Sequence, residues 1–154
     1  MAHHGYLNMS LRIVKKAFKD LTNQEVYDLL DIRLDVFVTE QKILYTDTDY
    51  KDQHAIHYLL YHDDKVVSYL RLILPGYKYK EYSIGRVATR KIDRHKGYAT
   101  KLLLEAKNDV KGQPIRISAQ AYLETYYQKV GFESIGDPYI EEGILHVEML
   151  AKNE

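Results

Sequence analysis

The chain has 154 residues, 45% hydrophobic and 29% charged, and its 22 basic and 22 acidic side chains cancel to zero formal charge. That length suits one domain with a substantial core, and the charge balance argues against a general nucleic-acid binder, which needs a basic excess. No cysteine is present, which excludes disulfides, thiolate catalysis and cysteine-ligated metals and gives no sign of an oxidising compartment.

Residues 1–10 (MAHHGYLNMS) lack the apolar centre of a signal peptide and read as a short flexible lead. No later apolar run approaches the roughly 18–20 residues of a membrane-spanning helix, so residues 11–154 read as one cytoplasmic domain without membrane contact. Residues 11–18 (LRIVKKAF) predict a first strand. Thr22-x-x-Glu25 is a capping box, and Val26, Leu29, Leu30, Arg33/Leu34 and Phe37 behind it predict an amphipathic helix over 23–39. Residues 42–53 (KILYTDTDYKDQ) are polar and patternless, a loop. Strands over 55–62 and 65–74 flank Asp63-Asp64 as a hairpin turn, and Pro75-Gly76 ends the second.

A strand over 82–89 then leads through a basic loop into a helix over 97–110, with Ala99, Leu102, Leu103, Ala106 and Val110 on one face. Gly112-Gln113-Pro114 stops it. Ile115, Ile117 and Ala119 alternate as a strand, a helix over 122–130 ends at Gly131, and residues 144–150 make the last strand. Residues 134–143 read as loop. Antiparallel strands followed by strand–helix–strand units predict a mixed sheet with helices on both faces.

The stretch 82–101 carries the clearest chemistry. A strand feeding a glycine-bearing loop into a helix start presents free backbone N–H groups to an anion, reinforced by the helix dipole. Gly97 is the loop's only glycine, so the P-loop pattern is not met, and the element follows the fourth strand, where a dinucleotide fingerprint would follow the first. What remains is Arg94-x-x-Gly97-x-Ala99, with Arg90, Lys91, His95, Lys96 and Lys101 close by.

This segment resembles the acetyl-CoA motif of the GNAT (Gcn5-related) N-acetyltransferases, Gln/Arg-x-x-Gly-x-Gly/Ala. Ala121 to Phe132 is similar to the same family's aromatic helix and glycine turn, in the correct order and spacing, so the likeness covers about residues 11–150. Leu34 to Gln41 (LDVFVTEQ), the aspartates Asp47, Asp49 and Asp52 with His54 or His57, and the stretches 117–121 and 142–146 resemble the ElaA-like branch. The resemblance implies an α/β (α+β) fold with a mixed, mostly antiparallel sheet flanked by helices on both faces. It also implies direct acetyl transfer from acetyl-CoA to a small-molecule or peptide amine, without metal, by a monomer or homodimer. The alternative on the same fold is a non-catalytic acyl-CoA-binding module. A nucleic-acid binder using the Arg90–Lys101 patch is a third reading, disfavoured by the neutral charge.

By the resemblance, the N–H groups of Arg94, His95, Lys96, Gly97, Tyr98 and Ala99, extending to Thr100, hold the pyrophosphate. Val87, Ala88 and Thr89 bind the pantetheine by backbone, and the Val87 N–H polarises the thioester carbonyl. Tyr127 matches the general acid, although fifteen tyrosines against three phenylalanines and no tryptophan make any single tyrosine weak evidence. Many family members place a basic glutamate on the strand that here carries Ile84, Gly85 and Arg86. The candidates for the base are therefore Glu40, His57 and His146. Arg33 and Arg71 either orient an acidic acceptor or pair with carboxylates, and Arg33, Glu40 and Gln41 are candidate acceptor contacts. The acidic residues of loops 40–54 and 134–143 suggest a cationic acceptor.

Overall fold

A computed structural model of the protein describes residues 10–154. All but Ser10 of the expected N-terminal lead lies outside the described residues. Among the described residues seven strands form one sheet: β1 (Leu11–Ala17), β2 (Ala55–His62), β3 (Lys65–Ile73), β4 (Tyr82–Thr89), β5 (Ile115–Gln120), β6 (Glu133–Glu141) and β7 (Ile144–Ala151). Their spatial order is β1-β2-β3-β4-β5-β7-β6. Every neighbouring pair is antiparallel except β4 and β5. The helices are α1 (Asn23–Arg33), α2 (Tyr98–Asp109) and α3 (Glu124–Lys129).

Alternation along the central strands divides the core between two faces. Tyr58, Leu60, Leu70 and Leu72 pack with Leu102, Leu103 and Ala106 of α2 and with Tyr127 and Phe132. Leu59, Tyr61, Val66 and Tyr69 pack with Leu29 and Ile32 of α1. With both faces covered, β3 is buried from Val66 to Ile73 and reads as a near-continuous apolar run. Leu102 and Leu103 are fully buried, each worth roughly 1.5–3 kcal/mol, and they fix α2 and hence the loop before it.

The Thr22–Glu25 capping box forms as expected, with Glu25 N donating to Thr22 Oγ1 at 3.1 Å and Thr22 N donating to Glu25 Oε1 at 2.9 Å. The expected helix over 23–39 does not stay α-helical. It widens into a π-helical stretch over Leu34–Glu40, and its buried face is Leu29, Ile32, Arg33 and Val36, while Leu34 is exposed. An arginine took the interior position because carboxylates from a distant loop meet it there.

The second correction is β6, where the sequence suggested loop. This strand is mostly exposed, carries Gly136 and Pro138, and interrupts its pairing between Ile135 and Tyr139. An edge strand tolerates proline and need not alternate in polarity, so its sequence carries little strand signal.

Candidate active site

β4 and β5 run parallel for two residue pairs only, Tyr82↔Ile115 and Ser83↔Arg116. Beyond them a cleft of about 950 Å³ opens, lined by Ile84–Val87 and Thr89 on one side and Ile117–Gln120 on the other. Its volume is at the upper end of the range for small-molecule sites. The separated edge of β4 leaves backbone groups available to an extended ligand. A bulge shapes that edge: Tyr69 pairs with Ala88 and Arg71 with Gly85, so neither Arg86 nor Val87 has a register partner on β3. Arg86 sits at φ 52°, a left-handed conformation uncommon outside glycine.

One end of the cleft is the start of α2. Gly97 caps the helix at φ 78° without a side-chain hydrogen bond, and the first α-helical donor is Lys101 N to Gly97 O at 3.0 Å. The N–H groups of Tyr98, Ala99 and Thr100 therefore have no helical acceptor. A Cβ at Gly97 would meet nothing within 4 Å, so the backbone angle, not space, calls for glycine. Val87, Thr89, Arg94, His95, Gly97, Tyr98, Ala99 and Thr100 all line the cleft. Ala88 instead faces the core at 1% exposure, and Lys96 lies outside the lining with its Nζ 3.6 Å from Asp93.

α3 crosses the same opening. Tyr126 shares a 2.7 Å hydrogen bond with Thr100 Oγ1, tying α3 to the first turn of α2. Tyr127 is wedged edge-on between the rings of Tyr126 and Phe132, at 5.3 and 5.9 Å. It lines the cleft, and its hydroxyl has no hydrogen-bond partner among the described residues. Burial pushes its pKa well above the ordinary phenol value, so the proton stays on at neutral pH.

On the opposite wall His146 of β7 sits across from Gln120 of β5 and Tyr139 of β6. Its Nδ1 lies 2.7 Å from the Ile144 carbonyl, which only accepts, so Nδ1 carries the proton and Nε2 keeps the lone pair in the neutral ring. The Tyr139 ring stacks on His146 at 6.0 Å, and the Tyr139 hydroxyl hydrogen-bonds Ser118. Sequence reading passed over Tyr139 because it lies on the edge strand taken for loop.

The other candidates for the base are held elsewhere. Glu40 lines the cleft, but both of its carboxylate oxygens accept from Arg94, and those hydrogen bonds hold its carboxyl below the ordinary glutamate range. His57 is fully buried and is not in the lining. Its Nε2 donates to Asp52 O at 2.8 Å and its Nδ1 accepts from Tyr69 Oη at 2.7 Å, while burial lowers its pKa and keeps it neutral. Gln41 lines the cleft, its amide 3.5 Å from that of Gln120.

Arg33 is also fully buried and outside the lining, paired to Asp47 at 2.9 Å and Asp52 at 2.7 Å. Arg71 binds Asp49 at 2.6 Å and Asp52 at 2.8 Å. The three aspartates of the acidic loop are thus neutralised internally, so of the acidic residues that suggested a cationic acceptor Glu141 and Glu142 remain, both lining the cleft. Among the described residues no group of three or more histidine, aspartate or glutamate side chains converges as a metal site requires.

An acetyltransferase (GNAT) domain model matches residues 18–152. The chain belongs to the GNAT family. Within the ElaA-like branch, a UPF0039 protein of Synechocystis is 36% identical over 138 residues, covering 86% of this chain and 90% of the relative. Escherichia coli Protein ElaA is 30% identical over 136 residues, covering 84% and 89%. The crystal structure of an acyl-CoA N-acyltransferase from Pseudomonas aeruginosa superimposes with a TM-score of 0.87 at 34% identity, over 92% of this chain and 99% of that one. The E. coli ElaA structure gives 0.84 at 27% identity over the same shares. In this GNAT chain Ile84, Gly85 and Arg86, which lead into the bulge, supply no carboxylate to the cleft.

Proposed function

We propose that the protein transfers an acetyl group from acetyl-CoA directly to the primary amine of a small molecule or peptide in the cytoplasm. The observation that carries the reading is the parting of β4 from β5 after two pairs, which brings the α2 N-terminus, the β4 bulge, Tyr127 and His146 into one cleft. The unshared N–H groups of residues 95–100 suit the pyrophosphate, while that of Arg94 donates to the Lys91 carbonyl at 3.4 Å, and the open edge at Val87–Thr89 suits the pantetheine amides. The Val87 N–H then lies at the thioester carbonyl, where it stabilises negative charge as the carbon becomes tetrahedral.

An aliphatic amine is mostly protonated at neutral pH and must lose a proton before it attacks. In this reading His146 takes it at Nε2, the nitrogen not engaged by the Ile144 carbonyl; Nε2 lies 3.9 Å from the Glu141 carboxylate that would pair with the imidazolium so formed. The amine nitrogen bonds to the carbonyl carbon, the C–S bond breaks, Tyr127 protonates the departing thiolate, and the second proton that the nitrogen sheds on becoming an amide restores the phenol. With Glu40 held by Arg94 and His57 buried outside the lining, His146 is the candidate this reading favours, because it lines the cleft and its Nε2 has no hydrogen-bond partner among the described residues.

A panel of amines tested for acceptor-dependent release of CoA thiol checks the proposal, and a chain without cysteine adds no thiol background. Acetyl-CoA binding with no thiol release for any amine would replace the enzyme with an acyl-CoA-binding module.

A further inference from the structure

Six charged side chains close a ring at the floor of the cleft. Arg33 pairs with Asp47 at 2.9 Å, Asp47 with Arg86 at 3.0 Å, and Arg86 with Asp49 at 3.6 Å. Asp49 pairs with Arg71 at 2.6 Å, Arg71 with Asp52 at 2.8 Å, and Asp52 with Arg33 at 2.7 Å. Three arginines and three aspartates alternate with no break. They come from the end of α1, the loop before β2, the middle of β3 and the bulge of β4. Arg33, Arg71, Asp47 and Asp52 are buried, and Arg71, Arg86 and Asp49 reach the cleft wall.

Stability alone is a poor reason for such a ring. Desolvating paired charges costs about as much as their attraction returns, and apolar replacements are often as stable. What a closed ring supplies is fixed geometry. Its one strained member is Arg86, whose backbone is left-handed at φ 52° and forms the bulge next to Val87. A non-glycine residue holds such an angle only where its surroundings over-determine it. Here the side chain is the restraint. Arg86 Nε donates to Asp47 Oδ1 at 3.0 Å and Nη2 donates to the Asp47 carbonyl at 2.9 Å, so the guanidinium is gripped at two points. Asp47 is in turn fixed by Arg33 and by the Tyr45 hydroxyl at 2.6 Å.

We propose that Arg86 is a positioning residue: the ring grips its guanidinium and thereby holds the left-handed bulge that presents the Val87 N–H to the reacting carbonyl. This rests on the acetyltransferase reading for its kinetic consequence, and on backbone geometry alone for its structural one. The ring also joins the loop carrying Tyr45, Thr46 and Asp49, which lines the cleft, to the strand that carries Val87. Ordering the acceptor-side loop and shaping the bulge are then one event.

Two substitutions separate positioning from charge. Arg86→Met keeps the strained backbone and loses the grip; Arg86→Gly loses the grip and the strain together. In the Met variant kcat should fall by at least about tenfold with the acetyl-CoA Kd within about threefold, and the Gly variant should recover roughly fivefold or more of that loss, as expected for relief of left-handed strain. Equal losses in the two variants would mean that the guanidinium acts on substrate directly, and unchanged kcat in the Met variant would mean that the ring only braces the fold; either result overturns the proposal. Arg86→Lys retains the charge but cannot reproduce the two-point grip, so it should behave like Met, and it serves if Met does not fold.

Backbone exchange gives a reading independent of activity. Amide exchange over residues 84–88 should quicken about tenfold or more in the Met and Lys variants, while Tyr82 and Ser83, still paired to β5, stay protected. Unchanged exchange over 84–88 overturns the proposal even if the wild-type protein acetylates amines. If no amine is acetylated, the function reading fails and this measurement still decides the role of Arg86.

Discussion

Arg94 grips both carboxylate oxygens of Glu40, Nη1 to Oε2 at 2.6 Å and Nη2 to Oε1 at 2.5 Å, while its Nε holds the Thr89 carbonyl at 3.0 Å. The pair fastens the end of the π-helical stretch to the loop that precedes α2. The Arg94 side chain is thus committed to loop geometry, so in the proposed acetyl-CoA complex the backbone N–H groups are left to face the pyrophosphate. Glu40→Gln should therefore weaken acetyl-CoA binding about three- to tenfold and leave kcat within about threefold, since a partly exposed pair contributes only about 0.2–1 kcal/mol to stability. Calorimetric titration with acetyl-CoA, alongside saturation kinetics, separates this from a basic role, which predicts the reverse pattern.

Tyr127→Phe removes one oxygen from a ring that remains packed between Tyr126 and Phe132. No hydrogen bond among the described residues is lost with it. We expect kcat to fall by about 10²-fold, the usual scale for a positioned acid, with acetyl-CoA affinity within about twofold and the melting temperature unchanged. A variant as fast as wild type across the pH range would remove the acid assignment.

For His146 the informative measurement is kcat set against cofactor affinity. His146→Gln should lower kcat by about 10²–10⁴-fold and leave the acetyl-CoA Kd within about threefold. A variant as fast as wild type would remove the base assignment.

Gly97→Ala tests the cap. The added methyl has open space around it, so its cost is confined to holding φ at 78°, about 1–2 kcal/mol if the helix start is retained. That should appear as a lower melting temperature or as weaker acetyl-CoA binding if the loop relaxes instead. Differential scanning calorimetry with and without acetyl-CoA distinguishes the two.

Acid stability follows from the carboxylates. Burial alone would raise the Asp49 pKa, but hydrogen bonds from Arg71 bring it far below the ordinary value; Arg33 and Arg71 likewise lower Asp52, and Arg94 lowers Glu40. A carboxyl depressed in the folded state contributes stability that is complete above its unfolded pKa, about 4, and disappears as pH falls through the folded value. Denaturant midpoints should therefore be flat on this account from about pH 7 to 5 and decline below about pH 4. In Asp49→Asn that decline should be shallower and start from a lower plateau.

The parts legible in the sequence are those written locally. The Thr22–Glu25 box, the apolar stripe of α2 and the glycine of the 94–99 turn are set by side chains within a few residues of one another, and each appears where its pattern placed it. The edge strand β6 was not legible because exposure frees it from alternation, and Tyr139 was missed with it. Arg33 also misled: at helical spacing it competes with Leu34 for the inward position, and the carboxylates that decide the matter lie 14 and 19 residues away at Asp47 and Asp52.

By itself, then, the sequence determined the order of the three helices and of every strand but β6, and the glycine turn that opens α2, because these depend on periodicity, capping and backbone angle. Tertiary structure decided which charged groups are free. Glu40 is taken by Arg94, His57 by Tyr69 and Asp52, and the acidic loop by three arginines, leaving His146 in the cleft with its Nε2 3.9 Å from Glu141. The physical reason is that a charge is neutralised by whatever folding brings within about 4 Å of it, and across a sheet that partner is seldom a neighbour in the chain.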